Sequence, residues 1–316
     1  MGKHICIIGG SGFVGRVLTR RAIDEGYQVT VACRHPERSR EILAMGARLV
    51  RANITDGKGV QEAVQGADCV INLVGLLFEK GASNFEAAHV KGAEHVLAVC
   101  AQTGVKQYIH MSALGAGKVP ASAYARTKAE AENLVRKSAG LCWSIFRPSI
   151  IYGEGDNFFN QFKKMSALLP VLPVIEGKTR FQPVWVEDVA RAMLAVVGDK
   201  DACGKTYELG GPKAYSFRHL LEILMGELDR SRLLLPVPRF AAKLIAGFAQ
   251  FLPVPPLTPD QLVLLQQDNV LEGKAFPKKF GQAAELEKVL PTYIRGNQPE
   301  RLQYRLDHCR KYYRKG

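Results

Sequence analysis

Residues 5–15, ICIIGGSGFVG, constrain the fold more than any other stretch of the chain. An apolar, β-branched run breaks into a glycine-rich turn, and the residues from Arg16 to Gly26 then follow helical spacing. Glycine at Gly9, Gly12 and Gly15 lets the backbone turn sharply off a strand, admits main-chain N–H groups close to a pyrophosphate, and seats the next helix tightly on the sheet. A helix that starts here offers unpaired N–H groups and a positive dipole end to phosphate oxygens. The pattern predicts a dinucleotide cradled by Gly9, Ser11, Gly12, Phe13, Val14 and Gly15. The competing reading is a tight strand-to-helix connection that binds nothing. Two features favour the nucleotide: the motif lies on the first strand, and a second strand, Gln28–Ala32, ends about where a ribose-reading residue belongs, roughly 20 residues on.

An acid at that point would accept a hydrogen bond from a free ribose 2′-hydroxyl and favour NAD. This chain has Ala32-Cys33-Arg34, with Arg38 four residues further. A guanidinium grips a phosphate bidentately, so Arg34 predicts NADP(H) in preference to NAD(H). A solvated surface arginine is the alternative.

Strand-like and helix-like segments alternate through the first half. Strands are predicted at Leu49–Ala52, Cys69–Val74, Gln107–Met111 and Cys142–Phe146, with helices at Gln61–Gln65, Phe85–Gln102 and Ala125–Lys137. Such alternation predicts an α/β, doubly wound parallel sheet covered on both faces. After Arg147-Pro148 the pattern loosens, with a helix over Asn157–Leu169, a short strand over Phe181–Val184, a helix over Glu187–Val197 and a strand over Thr206–Leu209. From Ser216 onward the chain reads as helices with proline-rich joints. The division this suggests is a nucleotide-binding unit of residues 1–155 plus 181–211, and a smaller, mostly helical C-terminal lobe of 156–180 plus 212–316.

A chain of 316 residues buries a large core. Its seven cysteines, Cys6, Cys33, Cys69, Cys100, Cys142, Cys203 and Cys309, carry no C-x-x-C pair and several lie in apolar strands. They read as reduced core thiols of a cytoplasmic protein, neither disulfides nor metal ligands, and no metal is expected. No charged-then-apolar leader precedes Gly9. The formal charge of +13 is concentrated partly after Arg295, where Leu302, Leu306, Cys309 and Tyr313 fall at helical spacing. That predicts a basic amphipathic helix, either docked on its own core or facing an anionic membrane surface or a protein partner. Arg239–Leu252 is apolar on most faces yet too short to span a bilayer, and reads first as a buried lobe helix. No motif supports nucleic-acid binding.

The second informative motif is Tyr124-Ala-Arg-Thr-Lys128. At i and i+4 of a helix both side chains share one face, where an ammonium would lower the tyrosine pKa toward working range. Such a tyrosine delivers a proton to a carbonyl oxygen, or removes one from an alcohol. Ser112, at the end of the fifth strand, stands where its hydroxyl would orient the same oxygen. The candidate catalytic set is therefore Tyr124, Lys128 and Ser112, acting on a small carbonyl or alcohol.

With these motifs in place, the chain resembles the extended or atypical branch of the short-chain dehydrogenase/reductase superfamily. Within it, the chain is similar to the group containing the NADPH-binding accessory subunit of respiratory complex I and its bacterial relatives. The matching segments are GGSGFVGR (9–16), NLVG (72–75), HMSALGA (110–116), YARTKAEAE (124–132), FRPSIIYGEGDNFFNQF (146–162), RFQPVWVEDVARA (180–192) and TYELGGP (206–212). The resemblance implies a Rossmann-type domain with a lobe closing over the cofactor. It implies that Asn53, Ile54, Leu73, Val74 and Gly75 flank the adenine and ribose, that Lys128 holds the nicotinamide ribose, and that Pro148, Ser149, Ile150 and Ile151 line the nicotinamide. His89 stands where many relatives carry Asn, which departs from the usual proton relay. His110 reads as a satisfied core residue and Trp185 as packing between lobe and domain. Three functions fit: an NADP(H)-dependent oxidoreductase; a non-catalytic NADPH-holding subunit of a membrane-associated assembly; and, with least support, a nucleotide-sugar epimerase or dehydratase.

Overall fold

The central strands are short runs of β-branched and apolar residues buried on both faces, the signature of a sheet covered by helices on each side. The computed structural model describes residues 3–81, 84–249, 255, 257–273 and 276–295. Six strands follow in order: β1 (His4–Ile8), β2 (Gln28–Cys33), β3 (Arg48–Arg51), β4 (Cys69–Asn72), β5 (Gln107–Met111) and β6 (Cys142–Pro148). Helices α1 (Phe13–Asp24), α2 (Arg40–Ala44), α3 (Val60–Val64), α4 (Gly92–Thr103) and α5 (Ala123–Lys137) connect them. Then come β7 (Ile151–Tyr152), α6 (Phe158–Leu168), β8 (Val171–Ile175), β9 (Arg180–Phe181), β10 (Val184–Trp185), α7 (Val186–Leu194), β11 (Lys205–Leu209) and β12 (Tyr215–Ser216). The chain continues through α8 (Phe217–Glu227), β13 (Leu233–Val237), α9 (Arg239–Ala249), α10 (Pro259–Leu264) and α11 (Leu286–Ile294).

The seven-stranded sheet has the order β11-β6-β5-β4-β1-β2-β3, and its neighbours all pair parallel. The order reverses between β1 and β4, and the glycine turn leaves the carboxyl end of β1 at that switch point, where open α/β sheets bind ligands. Two apolar clusters cover the sheet, one centred on Ile5, Ile7, Leu18 and Val189, the other on Cys6, Ile8, Val70 and Ile145. A third gathers Tyr152, Phe159, Leu172, Phe217, Leu221 and Leu290, with Trp185 half-buried against it.

Several expectations are corrected. The short strand over 181–184 is two two-residue strands, β9 and β10, which pair with β12 and β7 respectively. The lobe is less helical than expected, because β8 and β13 form a parallel ribbon. Cys142 and Cys203 form a disulfide with Cα atoms 4.8 Å apart, against the expectation of seven free thiols. Its cause is register: Lys205 of β11 pairs with Ser144 of β6, so Cys203, in the turn two residues before β11's first pair, comes beside Cys142. Cys6, Cys33, Cys69 and Cys100 are free and buried. The buried lobe helix is half-right. Ala242 and Ala246 of α9 are buried, whereas Phe240 is 71% and Leu244 62% exposed. The basic stretch after Arg295, with Cys309, lies outside the described residues.

Candidate functional site

Three glycines of the first turn do three separate jobs. Gly9 sits at φ +81°, a left-handed conformation that favours glycine. A Cβ at Gly15 would lie 2.4 Å from Gly10 Cα, so α1 approaches the turn as no side chain would allow. A Cβ at Gly12 would meet only the Gly9 carbonyl at 3.3 Å, which leaves its outer side open. Gly12 caps α1, and the first intrahelical bond there runs from Arg16 N to Gly12 O. The N–H groups of Phe13, Val14 and Gly15 therefore have no helical acceptor, the state in which a helix start receives an anion. The cradle fits a pyrophosphate.

The second strand ends at Cys33, whose buried thiol faces the Ser11 and Ser39 hydroxyls and is pushed above its ordinary pKa by burial. Arg34 and Arg38 follow, both exposed. Neighbouring charges are already matched: Arg51 pairs with Glu37 at 2.8 Å and Arg16 with Glu41 at 3.2 Å. Among the described residues Arg34 and Arg38 enter no salt bridge. Asn53 accepts from Thr55 N and Oγ1 in the turn after β3, and buried Ile54 offers its carbonyl to His95 Nδ1 at 2.7 Å. Leu73, Val74 and Gly75 leave the end of β4, with Val74 N donating to Asn72 Oδ1.

Helix α5 is capped by Ser122, whose Oγ accepts from Ala125 N. Its buried face carries Ala125, Ala131 and Val135, as an amphipathic helix should, but also Lys128 and Glu132. Lys128 Nζ donates to Met111 O at 3.1 Å and Val74 O at 3.4 Å, next to Gly75. A Cβ at Gly75 would stand 3.2 Å from that ammonium. Burial lowers the Lys128 pKa to about 8, with Glu132 opposing. Tyr124 is half-buried, and its hydroxyl has no hydrogen bond among the described residues. Burial pushes its pKa up to about 12, with the Asp260 carboxylate adding to the rise. The expected lowering by Lys128 is thus corrected: the ammonium donates to two carbonyls, and the charge that acts on the phenol is that of an acid.

His89 lies in a π-helical segment, Glu86–Lys91, of the kind that often marks functional sites. Its Nε2 accepts from Leu76 N at 3.1 Å. The Thr127 hydroxyl gives its proton to Ala123 O, so the network assigns the imidazole proton to Nδ1, donating to Thr127 at 2.9 Å. Both nitrogens are committed. The ring stays neutral, its pKa lowered to about 2 mainly by burial. It packs edge-on against Tyr124 at 5.5 Å. His110 is buried as expected but not satisfied, since neither ring nitrogen has a partner among the described residues. Ser112 Oγ is likewise buried without a hydrogen bond of normal geometry, although it faces the Glu132 carboxylate.

Pro148 ends β6, and its carbonyl accepts from Leu114 N. Ser149 is buried; its Oγ meets Asn269 Oδ1 at 2.6 Å, so its hydroxyl serves the fold. Ile150 O accepts from Val184 N, and Ile151 belongs to β7. Residues 258–272 strap the lobe to this region. Asp260 accepts from Ser122 Oγ and Ala123 N at the start of α5, Gln261 donates to Leu77 O, and Lys118 pairs with Glu272. Sequence reasoning missed Glu132 and Asp260. Glu132 was reachable by carrying the Tyr124–Lys128 spacing one turn further; nothing local marks Asp260. Among the described residues no His, Cys, Asp or Glu cluster suits a metal ion, and no helix is long and apolar enough to cross a membrane.

Comparison with known proteins agrees with this fold. Subunit 9 of the NADH dehydrogenase [ubiquinone] 1 alpha subcomplex from Arabidopsis thaliana is 33% identical over 311 residues, covering 95% of this chain and 77% of the relative. The mouse protein of the same name is 31% identical, covering 80% and 68%. A ceramide reductase of Caulobacter vibrioides is 28% identical, covering 60% of each. Among solved structures, the UDP-glucose 4-epimerase of Thermotoga maritima with UDP-glucose superposes with a TM-score of 0.71 at 18% identity, covering 92% of this chain and 97% of that one. Residues 5–210 match the model of the NAD dependent epimerase/dehydratase family, and the chain belongs to that family.

Proposed function

We propose that this chain binds NADP(H) and holds it as a long-lived part of its fold, working as a subunit of a larger protein assembly. The observation that carries the reading is the allocation of polar groups around Lys128. Its ammonium is held by backbone carbonyls at the end of β4 and β5, His89 is locked neutral, and Tyr124 sits high on the pKa scale. These groups suit the grip on a nicotinamide ribose better than fast proton transfer. Arg34 and Arg38 would take the 2′-phosphate, and the N–H groups at the start of α1 the pyrophosphate. The relatives named as subunits of an NADH dehydrogenase subcomplex support assembly, as do the exposed Leu233, Leu235, Phe240 and Leu244 on β13 and α9. A cofactor that binds only the native state stabilises it by mass action. The test is the release of NADPH, followed by fluorescence during a chase with excess NADP⁺. Release over many minutes is expected; release within seconds overturns the fixed-cofactor reading.

A second reading is an NADP(H)-dependent reductase of a carbonyl on an apolar substrate. It is favoured by the hydroxyl of Tyr124, which has no hydrogen-bond partner among the described residues, and by the relative named a ceramide reductase. When bound, the dinucleotide would supply the hydride; Tyr124 would move the proton at its hydroxyl oxygen and Lys128 would fix the ribose. Under this reading Tyr124→Phe abolishes NADPH consumption with a long-chain carbonyl while leaving NADPH affinity intact.

A further inference from the structure

Glu132 is a fully buried carboxylate one helical turn beyond Lys128 on the same face of α5. Arg147 of β6 holds it with two bonds, Nε to Oε1 at 2.8 Å and a terminal nitrogen to Oε2 at 2.6 Å. Arg136 adds a third at 2.6 Å. A buried pair of this kind is a weak source of stability, since apolar side chains of similar volume often do as well. Its position suggests another use. The groups around Lys128 are few: His89 from the π segment, His110 from β5, Glu132 one turn further along α5 and Tyr124 one turn earlier, and the Val74 and Met111 carbonyls that take its hydrogen bonds. Asp260 of α10 reaches Tyr124, and Glu208 of β11 reaches only Arg147, at 3.7 Å. Both histidines are neutral. Among the described residues, Glu132 is therefore the anion whose charge bears on the ammonium.

We propose that Glu132, clamped by Arg147, is a positioning residue that keeps Lys128 protonated where the Val74 and Met111 carbonyls hold it, at the end of β4, so that it grips the cofactor as a cation. Burial opposes the charge on Lys128 and Glu132 favours it, so the pair sets the pH range over which the grip is cationic. Arg147 tempers this influence by sharing the carboxylate. The inference rests on the NADP(H) reading of the site.

The test is NADPH affinity by fluorescence titration between pH 6.5 and 9.5, on the full chain. Wild-type affinity should hold steady at neutral pH and fall as Lys128 loses its proton, near pH 8. Glu132→Gln should move that midpoint down by about one pH unit or more, leaving the low-pH affinity in place. Arg147→Gln should move it the other way, because the Glu132 charge is then less shared; this opposite shift tests the idea even if Glu132→Gln does not fold. Lys128→Met should bind weakly at every pH. Unchanged midpoints in the variants, or a uniform loss with the wild-type profile, would overturn the proposal and leave the cluster purely structural. No NADPH binding by the wild type at any pH would instead overturn the cofactor reading itself.

Discussion

Gly15 is seated on Gly10 so closely that a Cβ at position 15 would stand 2.4 Å from the Gly10 Cα and 2.5 Å from the Gly9 carbonyl. At Gly12, three residues earlier, the same addition meets only one atom, at 3.3 Å. The two alanine substitutions should therefore fail differently. Gly15→Ala forces α1 off the sheet and should destabilise the fold by about 1–3 kcal/mol, seen as a lowered urea midpoint. Gly12→Ala should change stability little while weakening the dinucleotide strongly, because its methyl group stands on the phosphate side of the turn.

Arg34 is exposed, and among the described residues it enters no salt bridge. Its removal should therefore leave stability within about 0.5 kcal/mol, as surface changes usually do. Arg34→Ala should weaken NADPH by about 10- to 100-fold, the value of a charge-assisted contact of 1.5–3 kcal/mol, and leave NADH unaffected. Equal losses for both nucleotides would remove the 2′-phosphate from the account.

His110 has two buried nitrogens without partners among the described residues and a pKa lowered to about 3 by burial, with Lys128 adding to it. Between its unfolded value near 6.5 and about 3, the unfolded chain takes up a proton that the native chain refuses. Stability is therefore lost as pH falls through that window, at up to about 1.4 kcal/mol per pH unit from this residue. His110→Leu should flatten the acid limb of a denaturation series from pH 7 to 4. It should also cost little at pH 7, since it removes unsatisfied polar atoms.

The Cys142–Cys203 bond closes a loop with a sequence separation of 61. Cys203→Ser should cost about 2–4 kcal/mol under oxidising conditions and nothing when the wild type is compared in excess reductant. Urea melts with and without reductant measure the difference.

The sheet was legible because its central strands are mostly apolar runs buried on both faces. Gln107–Met111 falls where the pattern puts it, and Cys142–Pro148 and Lys205–Leu209 differ from it only at an end. The ribbon of β8 and β13 was not legible. Pro173 and Pro236 interrupt runs too short to distinguish from helix, and each strand is specified by its partner some 60 residues away in the register of Leu172 with Leu234. The site divides in the same manner. The glycine turn, Arg34 and the Tyr124–Lys128 spacing are local patterns. By contrast, the disulfide, the lock of His89 between Leu76 and Thr127, and the Asp260 contact with Ser122 depend on which distant segments meet. The direction of the Tyr124 shift failed for that reason: spacing placed a lysine on the same face but said nothing of the carbonyls that take its ammonium.

The most direct measurement is a pair of equilibrium titrations of the full chain, with NADPH and with NADH, followed by nucleotide fluorescence at fixed ionic strength. Tight NADPH binding at one site, with NADH weaker by about tenfold or more, is the predicted result. Equal affinities, or no binding of either, would contradict it.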